Sequence, residues 1–167
     1  MDCTFTVNEG WFRYRSAAII IENGCVLMAK NDLDDYYYSV GGAVKLHETA
    51  EEAVKREVFE ETGINYEIDR LAFIHENFFK GSNFKGLNDD NLKCHEIAFY
   101  FIMKSKGNQE LNDNSYVYDG VRERMFWLPI KKLNEYKLFP IFFKDKLSQI
   151  SDSIIHIKTE EYNRNKL

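Results

Sequence analysis

The sequence predicts an α/β fold in which a mixed β-sheet lies between helices. Three observations lead there. β-prone runs outnumber helical patterns, and the helical patterns are scattered among them rather than gathered at one end. In addition, "HEIAFYFIMK" (95–104) is almost continuously apolar and aromatic, which suits a strand covered on both faces.

In chain order, "SAAIIIENGCVLMAK" (16–30) is two apolar runs joined by Asn23-Gly24. Both residues accept positive φ, so the pair signals a hairpin. "YYYSVGGAV" (36–44) is a short strand running into two glycines. Thr49 with Glu52 has the spacing of a capping box. Ala50, Ala53, Val54 and Val58 then recur at helical spacing, and Gly63 suits the position just past a helix end. These signals predict a helix over 50–62. "INYEIDRLAFIHENFF" (64–79) alternates as one or two strands, and "RMFWLP" (124–129) is another. "FPIFFKDKLSQI" (139–150) predicts a second helix with Pro140 in its first turn. "SIIHIKT" (153–159) reads as a short terminal strand, and the polar residues at about 160–167 as a mobile tail. Two long loops, 80–93 and 105–120, are of a length that tends to carry function.

The chain has 167 residues, which suits a single domain over 1–167. At 44% hydrophobic and 15% aromatic residues it has enough apolar surface to bury a core. Net charge is −5, so no stable nucleic-acid complex is expected; a small anionic substrate is compatible if cations bridge the charges. Cys3, Cys25 and Cys94 are odd in number and far apart, which argues against a disulfide framework and for a reducing compartment. The N-terminal stretch carries acids and lacks the apolar run of a secretory signal. No stretch approaches the roughly 20 apolar residues that span a bilayer, so no membrane partner is expected. The reading is cytoplasmic.

"REVFEETG" (56–63) poses a problem of electrostatics. Spacings of three and four put Glu57, Glu60 and Glu61 on one side of a helix. Like charges there repel by roughly 0.2–0.5 kcal/mol per pair. They also sit at the helix C-terminus, whose partial negative charge opposes acids. The stretch belongs to a longer pattern from Gly42: five residues, Glu48, seven residues, Arg56-Glu57, Val58, one residue, Glu60-Glu61, one residue, Gly63-Ile64. This pattern resembles the Nudix box, the loop–helix–loop signature of the Nudix hydrolases, at every defined position. The order of strands and helices extends the resemblance over a domain core at about 12–150.

The resemblance implies a Nudix-type α/β/α sandwich. It implies a pyrophosphatase-type hydrolase that uses Mg²⁺ or Mn²⁺ to cleave a phosphoanhydride bond in a nucleoside diphosphate linked to another group. Nucleotide sugars or ADP-ribose-like compounds, nucleoside triphosphates and dinucleoside polyphosphates all fit. Glu57, Glu60 and Glu61 would be metal ligands, with the Gly42 carbonyl a further one. Three carboxylates on one face suit a hard cation that takes oxygen ligands. Arg56, four residues from both Glu52 and Glu60, would bridge those acids, and Glu48 would position Arg56 or a metal-bound water. The family often has proline before the two glycines and glycine before the first glutamate; here Val40 and His47 stand there. A role for His47 on phosphate competes with none at all.

The general base is open between a box glutamate and a distant acid, with Glu76, Glu96 and Glu123 the candidates. Glu96 is the first choice, because it opens an apolar strand where an acid must be paired, metal-bound or at an exposed end. Tyr38, from the run Tyr36–Tyr38, and Phe78 are the candidates for contact with the substrate. Phe79, Phe84, Tyr116 and Tyr118 flank or occupy the long loops. The partner implied is a small nucleotide, and the resemblance leaves a homodimer open. A catalytically weak Nudix-fold module that senses or binds a nucleotide is the alternative function.

Overall fold

Alternation along the central strands sorts their apolar side chains onto two opposite faces. Ala17 and Ile19 enter one core cluster, and Ala18 and Ile20 the other. Val26 and Met28 likewise part from Leu27. Period-2 side chains make this division wherever a strand is covered on both sides. The computed structural model describes residues 1–7, 10–81, 92–112, 117, 118 and 120–162.

Among these residues the strands are β1 (Thr4–Val7), β2 (Gly10–Ile19), β3 (Ile21–Glu22), β4 (Cys25–Asn31), β5 (Tyr37–Ser39), β6 (Gly41–Ala43), β7 (Ile68–Gly81), β8 (Leu92–Met103), β9 (Val117–Tyr118), β10 (Val121–Pro129), β11 (Leu138–Phe139) and β12 (Ile155–Glu160). Helix α1 spans Ala50–Thr62, a 3₁₀ helix Ile130–Glu135, and α2 Phe143–Lys146. The strands form two mixed sheets. One runs β1-β2-β8-β7-β12, with β6 on β2; the other runs β11-β5-β4-β10-β9, with β3 on β4. In the first, β2 and β8 are parallel, and β7 and β8 antiparallel.

Helix α1 covers one core with Val54 and Val58 against Leu27, Val40 and Phe101. Leu133 of the 3₁₀ helix and Phe143 of α2 close the other, over Ile19, Met28 and Phe73. Each fully buried Ile, Leu, Val or Phe contributes roughly 1.5–3 kcal/mol. This is the expected mixed-sheet architecture with helices on both faces, built from two sheets.

The Asn23-Gly24 hairpin forms, with φ of +51° and +75°. Helix α1 has the bounds the sequence predicts. The second helix does not: instead of spanning 139–150 it is the single turn Phe143–Lys146. Leu138 and Phe139 are taken into parallel pairing with Tyr37 and Tyr38, so strand pairing overrides the local helical pattern. Most of the 80–93 loop, with Phe84, lies outside the described residues, as do Tyr116, the side chain of Tyr118 and residues 163–167. The start of the other loop is held by buried Glu22, which accepts bonds from Ser105 Oγ at 2.7 Å and Lys106 N at 2.6 Å. No helix among the described residues is long and apolar enough to cross a membrane.

Candidate active site

Helix α1 owes its position to its two ends. At the start, Thr49 Oγ1 accepts from Glu52 N at 3.1 Å and Glu52 Oε2 accepts from Thr49 N at 2.8 Å, the reciprocal capping box. At the finish, Gly63 takes φ +68° and its N–H reaches the Phe59 carbonyl at 2.8 Å. Ala53, Val54, Val58 and Thr62 are buried, so the acids stand on the remaining faces of the helix. No basic residue lies in the last turn.

The compensating cation is Arg56. Its Nε and Nη2 donate to the two oxygens of Glu48 at 2.8 and 2.9 Å. Its Nη1 donates to Glu57 at 2.5 Å and Glu60 at 3.2 Å. Sequence spacing put Arg56 between Glu52 and Glu60. The structure replaces Glu52, which is engaged in the cap, with Glu48. The fork geometry of a guanidinium, meeting a carboxylate with two parallel bonds, favours this choice.

The glycine turn of β6 closes on the same acids. A side chain on Gly42 would lie 2.5 Å from the Glu57 carboxyl group, so only glycine leaves that group its place. Gly41 N donates to Glu61 Oε1 at 3.1 Å. Glu61 Oε2 is buried and has no hydrogen-bond partner among the described residues. Burial, then the nearby charge of Glu123, holds the Glu61 carboxyl well above the usual carboxylate range. Burial also raises Glu57, with Arg56 offsetting part of the effect.

The structure brings Glu123, not Glu96, beside Glu61. Glu123 Oε2 accepts the Tyr38 hydroxyl. Its own carboxyl is raised by burial, in part offset by Tyr38 and Arg15. Glu96 is instead 5% exposed and bound to Arg13 through Nε at 2.7 Å and through Nη2. Burial opposes its charge, but Arg13 and Arg15 outweigh burial and hold it below the usual range. A carboxylate so held is a weaker proton acceptor than one raised toward neutrality. Glu76 faces His156 at 3.0 Å on an exposed edge.

Arg15, which the sequence did not single out, is the hub. Its Nη2 donates to the Ser39 carbonyl at 2.6 Å, and its buried Nε has no partner among the described residues. Burial works against its charge; Glu96, Tyr100, Glu61 and Glu57 outweigh burial and raise its pKa. The signal available was weak: Arg13 and Arg15 alternate with aromatics in the first half of a strand whose second half is apolar.

Arg15 also lines a cavity of about 480 Å³ with Arg13, Tyr36, Tyr38, His75 and Glu96. Tyr38 therefore stands at both the cavity and the acid pair. Phe78 does not line the cavity: it is 5% exposed and stacked on His95 at 4.3 Å. Its neighbour Phe79 does, because successive strand residues face opposite ways. His47 is exposed, with φ +70°.

The residues fit a hard divalent cation: donors are oxygens only, one buried carboxylate oxygen lacks a partner, and a glycine keeps the turn open beside them. Among the described residues, no three His, Cys, Asp or Glu side chains already converge to hold an ion. Arg56 draws Glu57 and Glu60 toward itself.

Comparison with known proteins bears on most of the chain. The NUDIX domain model matches residues 12–146. A MutT-like protein of Streptomyces ambofaciens is 35% identical over 66 residues, which span 40% of this chain and 43% of that protein. The match thus covers less than half of that relative's length. A mutator MutT protein from Bacillus halodurans superposes with a TM-score of 0.62 at 17% identity, over 89% of this chain and 91% of that one. MutT from Methanosarcina mazei Go1 gives 0.58 at 20% identity, over 84% and 92%. At such identities the structural likeness is one of fold. The domain match over most of the chain, which takes in the acidic helix and glycine turn described above, establishes that this protein belongs to the Nudix hydrolase family.

Proposed function

We propose that the protein is a divalent-metal-dependent hydrolase that cleaves a phosphoanhydride bond in a nucleoside diphosphate linked to another group. The observation that carries this reading is the partnerless, buried Glu61 Oε2 beside Glu57 and the Gly42 turn. Uncompensated buried carboxylate is costly, and a cation would relieve it. Glu57, Glu60, Glu61 and the Gly42 carbonyl would hold Mg²⁺ or Mn²⁺, which when bound supplies charge neutralisation for the phosphates and activation of water.

The chain's own groups have separate tasks. Arg56, fixed by Glu48, orders Glu57 and Glu60. Arg15 backs the phosphates from the cavity side. Glu123 Oε1 takes the proton of the attacking water, while Tyr38 holds Oε2. A carboxyl raised toward neutrality is better matched to that task than one held low. Candidate substrates are nucleotide sugars or ADP-ribose-like compounds, nucleoside triphosphates and dinucleoside polyphosphates. Three unpaired cysteines support a reducing, cytoplasmic setting.

A second reading, a nucleotide-binding module of little activity, draws on one observation: Arg56 already occupies Glu57 and Glu60. Turnover of a nucleotide panel with Mg²⁺ or Mn²⁺ decides between the two. The hydrolase reading expects release of phosphate, pyrophosphate or a nucleoside monophosphate. It also expects Glu60→Gln and Glu123→Gln each to lower kcat by about 10²-fold or more. Near wild-type turnover in either variant would remove that residue's role. Binding of nucleotides without any turnover would establish the module.

A further inference from the structure

Residues 105–112, which follow β8, are largely exposed and are tied to three other elements. The first is β3. Its Glu22, 1% exposed, accepts from Ser105 Oγ, from Lys106 N and, at 2.9 Å, from Gly107 N. The Glu22 carbonyl also accepts from Gln109 Nε2 at 3.0 Å. A buried carboxylate needs donors of this kind, so the segment is held firmly where it starts. The second element is β10: Trp127 Nε1 donates to the Gln109 carbonyl at 3.1 Å. The third is the end of α1: Asn112 Nδ2 donates to the Gly63 carbonyl at 3.0 Å. A side chain on Gly63 would lie 2.8 Å from Asn112 Cβ, so glycine there also admits the segment. Leu111, just before, packs on the cluster that contains Val54 and Val58 of α1.

These ties join the two elements that carry the acid pair. Glu61 stands two residues before Gly63. Glu123 stands four residues before Trp127, and an even spacing puts both side chains on one face of β10. That face looks toward α1, because Met125 and Trp127 pack on the cluster of Val54 and Val58. A helix and a strand share no backbone ladder, so their separation rests on packing and on whatever bridges them. The last turn of α1 is also where support is needed. Its acids repel one another, and no basic residue lies there. The Asn112 amide supplies a donor to the exposed carbonyl at that end.

We infer, on the basis of the hydrolase reading, that residues 105–112 form a positioning strap. Anchored on Glu22, the strap fixes the last turn of α1 against β10 and so sets Glu60 and Glu61 in place relative to Glu123. Asn112 and Trp127 are positioning residues that act through those acids.

The test uses the full chain and the variants Asn112→Ala, Trp127→Phe and Asn108→Ala. Asn108 lies in the same strap, and its bonds to Lys106 and Glu110 stay within it, so its variant is the control. Hydrogen exchange on the metal-free protein reads the two ends of α1. Calorimetry reads Kd for Mn²⁺. Kinetics reads kcat and KM for the nucleotide that wild type turns over fastest. Asn112→Ala and Trp127→Phe should speed exchange at Gly63 about tenfold and leave Ala53, in the first turn, unchanged. They should weaken Mn²⁺ binding about tenfold and lower kcat about tenfold, with KM within about twofold of wild type. Asn108→Ala should match wild type throughout. Asn112 is exposed, so its variant keeps the fold and carries the decision if Trp127→Phe does not fold. A lower denaturation midpoint with Kd and kcat unchanged would reduce the strap to a structural part and overturn the inference. So would exchange at Gly63 that ignores Asn112→Ala. If wild type neither binds Mn²⁺ nor turns over a nucleotide, the hydrolase reading falls, and exchange at Gly63 still decides the strap. Activity lost in Glu60→Gln but intact in Asn112→Ala would keep that reading and sink the strap.

Discussion

Arg13 stands directly opposite Glu96 in the parallel pairing of β2 and β8, and two of its nitrogens meet one carboxylate oxygen. Breaking such a pair leaves a buried charge, which costs about 3 kcal/mol when only one partner is removed. Arg13→Met should therefore lower the free energy of unfolding in urea by that order, and Arg13→Met with Glu96→Leu should recover most of the loss. An unchanged single variant would mean that Arg15 alone suffices for Glu96. His75 yields a prediction in pH. Its folded pKa of about 4 is below the ordinary 6.5, so between those values the unfolded chain binds more protons than the folded one. Stability is then complete above about pH 6.5 and falls on acidification, by roughly 1–2 kcal/mol at pH 5. The charges felt by the ring are those of Glu96 and His156. Because Glu57, Glu61 and Glu123 are shifted the other way, the denaturant midpoint of wild type should fall from pH 7.5 to 5 relative to that of His75→Phe, whatever the direction of the two curves themselves.

At the scale of the element, α1 is a helix that carries acids at its unfavourable end and is secured at its other end. The capping box is what Thr49→Ala removes, at a cost of about 1 kcal/mol. His47, just before it, holds φ +70° without the freedom of glycine. The left-handed conformation costs an ordinary residue roughly 1–2 kcal/mol. His47→Gly should raise the thermal midpoint, by up to about 1 kcal/mol after glycine's own entropy cost is subtracted. A lower midpoint would show that the imidazole makes a compensating contact. Both variants move the helix start and spare the acids, so thermal scans report them cleanly.

At the scale of the molecule, the site lies where pieces distant in sequence meet: the turn of β6, the far half of α1, Arg15 of β2 and Glu123 of β10. Each is held by one of the two cores, which is why side chains from both sheets can be brought against one helix. A cation that binds this cluster and not the unfolded chain stabilises the whole domain. At one hundred times Kd the gain is about 2.7 kcal/mol. For a chain of this size that is roughly 5–10 °C in melting temperature. Scans in EDTA, Mg²⁺ and Mn²⁺ should show the rise in wild type and its loss in Glu61→Gln.

The sequence by itself determined what is local. Helix α1 was legible to its bounds, because Thr49, Glu52 and Gly63 are end signals that act within one turn. The Asn23-Gly24 hairpin was legible because its dihedrals are a property of two residues. The acidic spacing of Glu57, Glu60 and Glu61 was legible for the same reason. Tertiary structure alone decided which distant acid joins them. Glu96 and Glu123 look alike in sequence, but the register of β8 on β2 sets Glu96 against Arg13, while β10 pairs with β4 and carries Glu123 to Tyr38 and Glu61. Register belongs to whole strands and to the burial of both their faces, so no single residue announces it. The same holds for β12, whose Thr159 reaches His75 only because a parallel strand lies beside β7.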